Sequence, residues 1–444
     1  MTHKIPTLDF IAVGVGPFNL GLACLTEPIK DLNGLFLDKR KSFNWHPGML
    51  MQDTTLQIPF MADLVTMADP TSPYSFLNYI KEQGKMYSFY IKENFLLLRN
   101  EYNQYCQWAI QKLSNVLFNT EVLYIEYDAQ KKLYCVHTKD TTNGVIAIRY
   151  AKKIVLGTGT VPYIPKSCEG AFPNTIHSST YLQHKETLQQ KKSITVVGSG
   201  QSAAEIFYDL LQDIDSKKYS LKWITRSPRF FPLEYSKLTL EMTSPEYVDY
   251  FYQLPEEKRN ELISKQKHLY KGINESLIAD IYDLLYAKKL IATVDVELRT
   301  HASLEKLGYN SDDTCLDITL HHLEQDEMFQ VTTEGLVLAT GYHYQAPKFI
   351  EGISDRIKWD KHQRYAVHRN YAIDYGGEEI FVQNAELHTH GFVTPDLGMA
   401  CYRNSSIIKE LTGIEHYPIE KRIAFQQFGV TAEEKLAFTD SLVN

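Results

Sequence analysis

Two short glycine-bearing stretches have the residue types and spacing of phosphate-binding loops. The first, Gly14-Val-Gly16-Pro-Phe-Asn19, follows the apolar run Leu8-Asp-Phe-Ile-Ala-Val13 and precedes a helical pattern from Leu20 to about Leu25. The second, Gly198-Ser-Gly200-Gln-Ser-Ala203, follows Ser193-Ile-Thr-Val-Val197 and precedes a helical stretch from Glu205 to Leu211. Such loops bind pyrophosphate. The first glycine permits the tight turn, the second lets a phosphate approach the backbone, and amides at the helix start meet the anion. The strand after each loop ends differently. Leu35-Phe-Leu37 ends in Asp38, placed to accept from a ribose hydroxyl, whereas Leu221-Lys-Trp-Ile-Thr225 ends in Arg226-Ser-Pro-Arg229. An acid reads a free 2′-hydroxyl and an arginine pairs with a 2′-phosphate, so the second unit favours NADPH over NADH. A basic surface turn is the alternative for Arg226. One acid-ended unit and one arginine-ended unit describe a flavin-dependent, NADPH-using enzyme.

The elements that hold these loops follow from the apolar pattern. Continuous β-branched and apolar runs suit parallel strands buried on both faces. Two further runs, ending in Gly157-Thr-Gly159 and Ala339-Thr-Gly341, would return the chain between the two modules. At 444 residues the chain exceeds a single core, so two or three domains are expected. The expected fold class is α/β, with two Rossmann-like dinucleotide-binding domains and a small, mainly helical insertion. We expect residues 1–165 and 335–444 to form a FAD-binding domain, 190–229 and 291–334 an NADPH-binding domain, and 230–290 the substrate-binding insertion. Helical spacing covers Ser75 to Lys85 and Arg99 to Leu113, short strands Val116 to Tyr150, and a last helix about Asp396 to Leu411. Strands should resume near Ile291. The proline-rich stretch from Phe43 to Pro73 reads as a long ordered loop, too aromatic for disorder.

Composition narrows the class further. A net charge of -8 leaves no basic face for nucleic acid and no polybasic anchor for membrane. No eighteen-residue apolar run occurs, and Met1 to Lys4 lacks the start of a signal peptide. The six cysteines are scattered without a C-x-x-C pair, as expected of reduced thiols in a cytoplasmic protein. Their scatter also disfavours a pyridine nucleotide-disulfide reductase, which shares the two-module plan but needs a redox-active pair.

Taken together, Gly14 to Asn19, Trp45-His-Pro-Gly-Met49, Asp69-Pro-Thr-Ser-Pro-Tyr-Ser-Phe76, Gly198 to Ala203, Ala339-Thr-Gly341 and His388-Thr-His-Gly391 resemble the siderophore N-hydroxylating flavoprotein monooxygenases. That family includes lysine N6- and ornithine N5-monooxygenases, and the resemblance spans nearly the whole chain. It implies FAD in the first module, NADPH in the second, and oxygen transfer from a C4a-hydroperoxyflavin to a neutral primary amine. Position by position, it implies that Gly14, Gly16 and Asn19 hold the FAD pyrophosphate and Asp38 the adenosine ribose. Trp45, His46 and Gln57 would lie near the flavin ring, with Gln57 and His46 the catalytic candidates. Gly198, Ser199, Gly200 and Gln201 would meet the NADPH phosphates, with Arg226 on the 2′-phosphate side. Pro17, Phe18, Ser202, Thr340, Gly341, Pro395 and Leu397 complete the cofactor contacts it implies. Core filling by Trp45 and a structural hydrogen bond from His46 are the alternatives. His388 and His390 have a metal-ligand look, but a strand spacing of two and no acidic third ligand argue against a metal.

Departures from the family pattern point to the substrate. Amino-acid-hydroxylating members carry a lysine in the segment Phe-Leu-Lys-Asp-Leu-Val, where this chain has Ala62 within Phe60-Met-Ala-Asp-Leu-Val65. Ornithine enzymes place asparagines where Leu240, before Glu241, and Leu269 stand here. A buried carboxylate without a partner costs about 3–5 kcal/mol, so a substrate lacking that carboxylate is expected. The pattern resembles diamine N-monooxygenases acting on putrescine or cadaverine with O2. Ala62, Leu240, Glu241 and Leu269 are then the substrate-facing residues, and Asp63, Glu241 and Glu246 the candidates to accept the distal ammonium. Lysine or ornithine hydroxylation remains the alternative, with Lys237 or Lys271 standing in for the lost cation. A Baeyer–Villiger type monooxygenase is a weaker rival. The resemblance also implies a dimer or tetramer.

Overall fold

The computed structural model describes residues 6–170, 172–291, 293–311 and 314–436. The stretch Met1 to Lys4, read above for a signal peptide, lies outside them. Two sheets, one mixed and one parallel, organise the chain. In the first, Val116–Leu117, Gly34–Leu37, Thr7–Val13 and Ile146–Leu156 lie side by side in parallel, and Ile380–Val382 adds to the last of these. The antiparallel strands Leu133–Asp140 and Thr120–Asp128 extend the other end of that sheet. Phe10, Ile11, Ala12 and Val155 are fully buried, which is why these strands read as unbroken apolar runs.

The second sheet is wholly parallel, in the order Thr175–His177, Gly335–Leu338, Ser193–Val197, Ser220–Ile224 and Val296–Arg299. Gly335–Leu338, expected in the first module, is hydrogen-bonded between two strands of the second. Its apolar sequence cannot say which parallel sheet it joins; the pairing does. An antiparallel unit of Ala302–Asn310, Cys315–His322 and Glu327–Thr333 intervenes between the last two strands of this module in sequence. The modules are bridged by Val161–Pro162 pairing with Tyr342–His343, just after the two Thr-Gly turns.

Between these come the helices Lys237–Leu240, Pro245–Gln253, Glu256–Lys265 and Glu275–Ile291. The last runs through Ile291, where a strand was expected; the next strand starts at Val296. The carboxyl-terminal helix is Ala400–Thr412, preceded by a 3-10 turn Leu397–Met399 that Asp396 caps. His388 and His390 sit on a short helical turn, Leu387–His390, rather than on a strand. Their rings bond to backbone oxygens, His388 Nε2 to Tyr365 at 2.8 Å and His390 Nε2 to Arg369 at 3.2 Å. They brace the loops that close one end of the cavity.

Candidate active site

Both glycine loops open onto one continuous cavity of about 2220 Å3, bounded by the two modules and the insertion. Sites for one small ligand are about 300–1,000 Å3, so this space suits two dinucleotides and a substrate. In the first loop Gly14 has φ +90, and a Cβ there would sit 2.4 Å from the Gly157 carbonyl oxygen. Gly16 instead faces open space and caps the helix Pro17–Thr26. A phosphate can therefore approach the Gly16 backbone and the first helical amides. The second loop repeats the device. A Cβ on Gly198 would meet the Ala339 carbonyl oxygen at 2.3 Å, and Gly200 caps the helix Gln201–Lys217.

Asp38 plays another part than the one expected. One carboxylate oxygen accepts from the Val15 amide at 2.8 Å and from Arg40 at 2.6 Å. The other accepts from the Arg40 amide at 2.8 Å and its Nε at 3.0 Å. These four bonds fill a carboxylate's lone-pair sites. Asp38, 6% exposed, thus braces the glycine loop and leaves no acceptor for a ribose hydroxyl. Asn19 is similarly turned inward, donating to Gly14 O at 2.7 Å and accepting from Gln383 at 2.7 Å. Its side chain holds the turn.

Trp45 and His46 line the cavity with their rings 4.8 Å apart, and Trp45 lies edge-on to Tyr102 at 5.1 Å. Enclosure by the cavity walls, then the charges of Arg99 and Arg40, push His46 down to about 4. Its imidazole is neutral at pH 7. Gln57 lies across the cavity, donating to Asn274 Oδ1 at 3.0 Å. Pro17, Phe18, Ser199, Gln201, Ser202, Thr340, Gly341, Pro395 and Leu397 also line it. Arg226 does so together with Lys267 and Lys271 from the insertion. Enclosure, then the charges of Lys267 and Arg226, hold Lys271 below the ordinary lysine range, which places the three cations near one another. None of the three is ion-paired among the described residues.

The substrate-facing residues divide. Leu240 and Leu269 line the cavity. Ala62 does not reach it; it packs, half-buried, on the first core. Glu241 points away, accepting from the amides of Phe425 at 3.0 Å and Gln426 at 3.1 Å. Glu246 likewise accepts from Ile423 and Ala424, at 2.6 and 2.8 Å. Asp63 takes the amides of Val65, Thr66 and Phe76 inside the first core. None of the three acids expected to receive an ammonium lines the cavity.

A different acid is. Asp396 lines the cavity, accepts the Gly398 amide through Oδ1 at 2.7 Å, and has no ion-pair partner among the described residues. A Cβ built on Gly398 would lie 3.1 Å from Asp396 Oδ1 and 4.0 Å from the Ala62 methyl. Ala62 and Asp396 therefore flank one glycine. Enclosure raises the Asp396 carboxyl above its usual range, opposed by the Gly398 amide and the nearby Arg403. In the sequence Thr-Pro-Asp-Leu-Gly this residue reads only as a helix cap, so pattern alone did not mark it.

Comparison with known proteins gives the family. Residues 6–344 match the family model for L-lysine 6-monooxygenase/L-ornithine 5-monooxygenase. The chain belongs to that family. It is 55% identical over 420 residues to a putrescine N-hydroxylase of Shewanella oneidensis, covering 95% of this chain and 84% of that one. Its fold is similar to a cadaverine monooxygenase of the desferrioxamine pathway of Erwinia amylovora, solved bound to FAD. That similarity has a TM-score of 0.95 at 58% identity, over 96% of this chain and 100% of the other. A Kutzneria ornithine N-hydroxylase solved with reduced FAD, NADP+ and L-ornithine is more distant, with a TM-score of 0.84 at 25% identity over 91% and 99% of the two chains. Members of this family are flavin-dependent monooxygenases, and this chain is one.

Proposed function

We propose that the protein N-hydroxylates one primary amine of an aliphatic diamine, putrescine or cadaverine, in hydroxamate siderophore biosynthesis. The balance is diamine, NADPH, H+ and O2 in; N-hydroxydiamine, NADP+ and water out. The observation that carries the substrate is the pair flanking Gly398. Where amino-acid hydroxylases resemble one another in holding a lysine for the substrate carboxylate, this chain has a methyl beside a free carboxylate. A site that meets an acid with Asp396 and with Leu240 and Leu269 disfavours an α-amino acid head and favours a bare ammonium. Glu234 also lines the cavity, but it is engaged with His268 at 3.0 Å and Thr239 at 3.0 Å. Glu121 lines it too, but on the edge strand Thr120–Asp128 of the first sheet rather than beside Gly398; Asp396 is the acceptor we assign to the distal ammonium.

FAD would lie against the Gly14–Gly16 loop and NADPH against the Gly198–Gly200 loop, with Arg226 toward the 2′-phosphate. The open approach to Gly16 and the convergent cations Arg226, Lys267 and Lys271 fit those anions. Bound there, the flavin supplies the oxygen chemistry, which no side chain of this cavity provides. The chain's own residues orient the amine, exclude water and present a neutral imidazole at His46. We assign the first sheet to FAD and the second to NADPH, with 230–290 covering the amine. An assembly of two or four copies is part of the same proposal. The outward-facing Tyr87, Tyr90, Ile91 and Phe95, 65–80% exposed on one short helix and its following turn, support it and sedimentation would test it. A cytoplasmic site of action accords with the buried, reduced thiols of Cys24, Cys106, Cys135, Cys168 and Cys401 and with no helix, among the described residues, long and apolar enough to cross a membrane. The test of function is product mass. Putrescine or cadaverine with NADPH and O2 should gain one oxygen on one nitrogen, and amine-independent NADPH oxidation without such a product would overturn the proposal.

A further inference from the structure

Arg99 and Glu205 form a two-pronged ion pair, with Nη1 to Oε2 and Nη2 to Oε1 both at 2.7 Å. Arg99 opens the helix Arg99–Gln111 beside the first module, and Glu205 lies on the helix after the second glycine loop. The two side chains are 14% and 3% exposed. Glu205 also accepts from Gln201 at 2.8 Å, and Gln201 in turn accepts the Asn274 amide of the insertion at 2.8 Å. Asn274 Oδ1 receives Gln57 of the first module at 3.0 Å. Five residues from three parts of the fold thus meet in one chain of directional bonds. Arg99, Gln57 and Gln201 also line the cavity.

This network is not needed to hold the modules together. Met49 and Met51 of the first module already pack into the second core beside Tyr181 and Ile194. A buried ion pair is seldom more stable than apolar side chains of similar volume, but a fork-to-fork pair fixes relative orientation. We propose that Arg99 and Glu205, with Gln201, Asn274 and Gln57, are positioning residues. They set the register of the NADPH module and the insertion against the flavin module, and so the path across which hydride passes. The proposal rests on the two-cofactor reading above and adds a part of the fold that controls it.

The decisive variant is Arg99→Met/Glu205→Met in the full, FAD-loaded protein. The apolar pair should keep the melting temperature at or above that of the wild type and the NADP+ Kd within about threefold. Hydride transfer from NADPH, followed as flavin bleaching without oxygen or amine, should fall at least tenfold. In air with amine, less of the NADPH oxidised should end as hydroxylamine. Glu205→Gln alone, which keeps the shape and loses the charge, should slow the same step by a smaller factor. A double variant that transfers hydride at the wild-type rate overturns the inference. So does a slowing fully accounted for by weaker NADP+ binding. Should the double variant fail to fold, wild-type hydride transfer by Glu205→Gln overturns it equally. Because the flavin readout needs no amine, failure of the diamine assignment leaves this result separately visible.

Discussion

Asp396→Asn is the substitution that most sharply separates a diamine site from a generic amine site. The change keeps the size of the side chain and its cap on Gly398, whose amide an Asn oxygen can still accept. It removes only the negative charge. Asp396 is half-buried on the cavity wall, so the full interior strength of an ion pair does not apply. A hydrogen bond to a charged partner is worth about 1.5–3 kcal/mol, which corresponds to roughly a 10- to 150-fold loss in kcat/KM for a diamine. A monoamine such as butylamine has no distal ammonium and should lose little. The assay is hydroxylamine formation and its coupling to NADPH oxidation for putrescine, cadaverine and butylamine, in wild type and variant. The informative quantity is the diamine-to-monoamine ratio, because damage to folding or flavin binding lowers both substrates together. An unchanged ratio would refute the role of Asp396, however low the activity.

Ala62→Lys should depress diamine turnover, since its ammonium can extend past Gly398 to neutralise Asp396. Lysine and ornithine should gain little from it while Leu240 and Leu269 remain; diamine kinetics unchanged from wild type would contradict the proximity argument. Arg226→Ala should raise the NADPH KM with a smaller effect on NADH, and equal losses with both would show that Arg226 does not read the 2′-phosphate. For pH, an alkylamine with a pKa near 10.4 is only roughly 0.1% neutral at pH 7.5, so oxygen transfer should rise with pH. His46, pushed down to about 4, is already neutral from pH 6 to 9 and adds no inflection there. A flat single-turnover profile over that range would show that amine deprotonation does not limit the reaction.

Features set by local chain geometry were readable in the sequence. Both glycine loops, the strands before them and most helices depend on residues within a few positions of one another. What could not be read was partnership across the chain. Asp38 stands where a ribose-binding acid belongs, yet Arg40 and the Val15 amide occupy it. Glu241 and Glu246 sit in the insertion expected to bind the substrate, but residues 423–426 hold them from the far end of the chain. Gly335–Leu338 fits either parallel sheet by composition, and only its pairing with Ser193–Val197 decides. Arg99 and Glu205 are 106 residues apart, and no periodicity links them. Asp396 was hidden for a different reason. A capping acid looks the same in sequence whether its second oxygen faces solvent or a substrate.

The proposed cavity takes a diamine and rejects an amino acid. The most direct measurement is kcat/KM for coupled hydroxylamine formation with putrescine, cadaverine, L-lysine and L-ornithine under one set of conditions. An unpaired buried carboxylate, at about 3–5 kcal/mol, predicts that the better diamine exceeds both amino acids by hundreds-fold or more. Lysine or ornithine hydroxylated as efficiently as either diamine would contradict it.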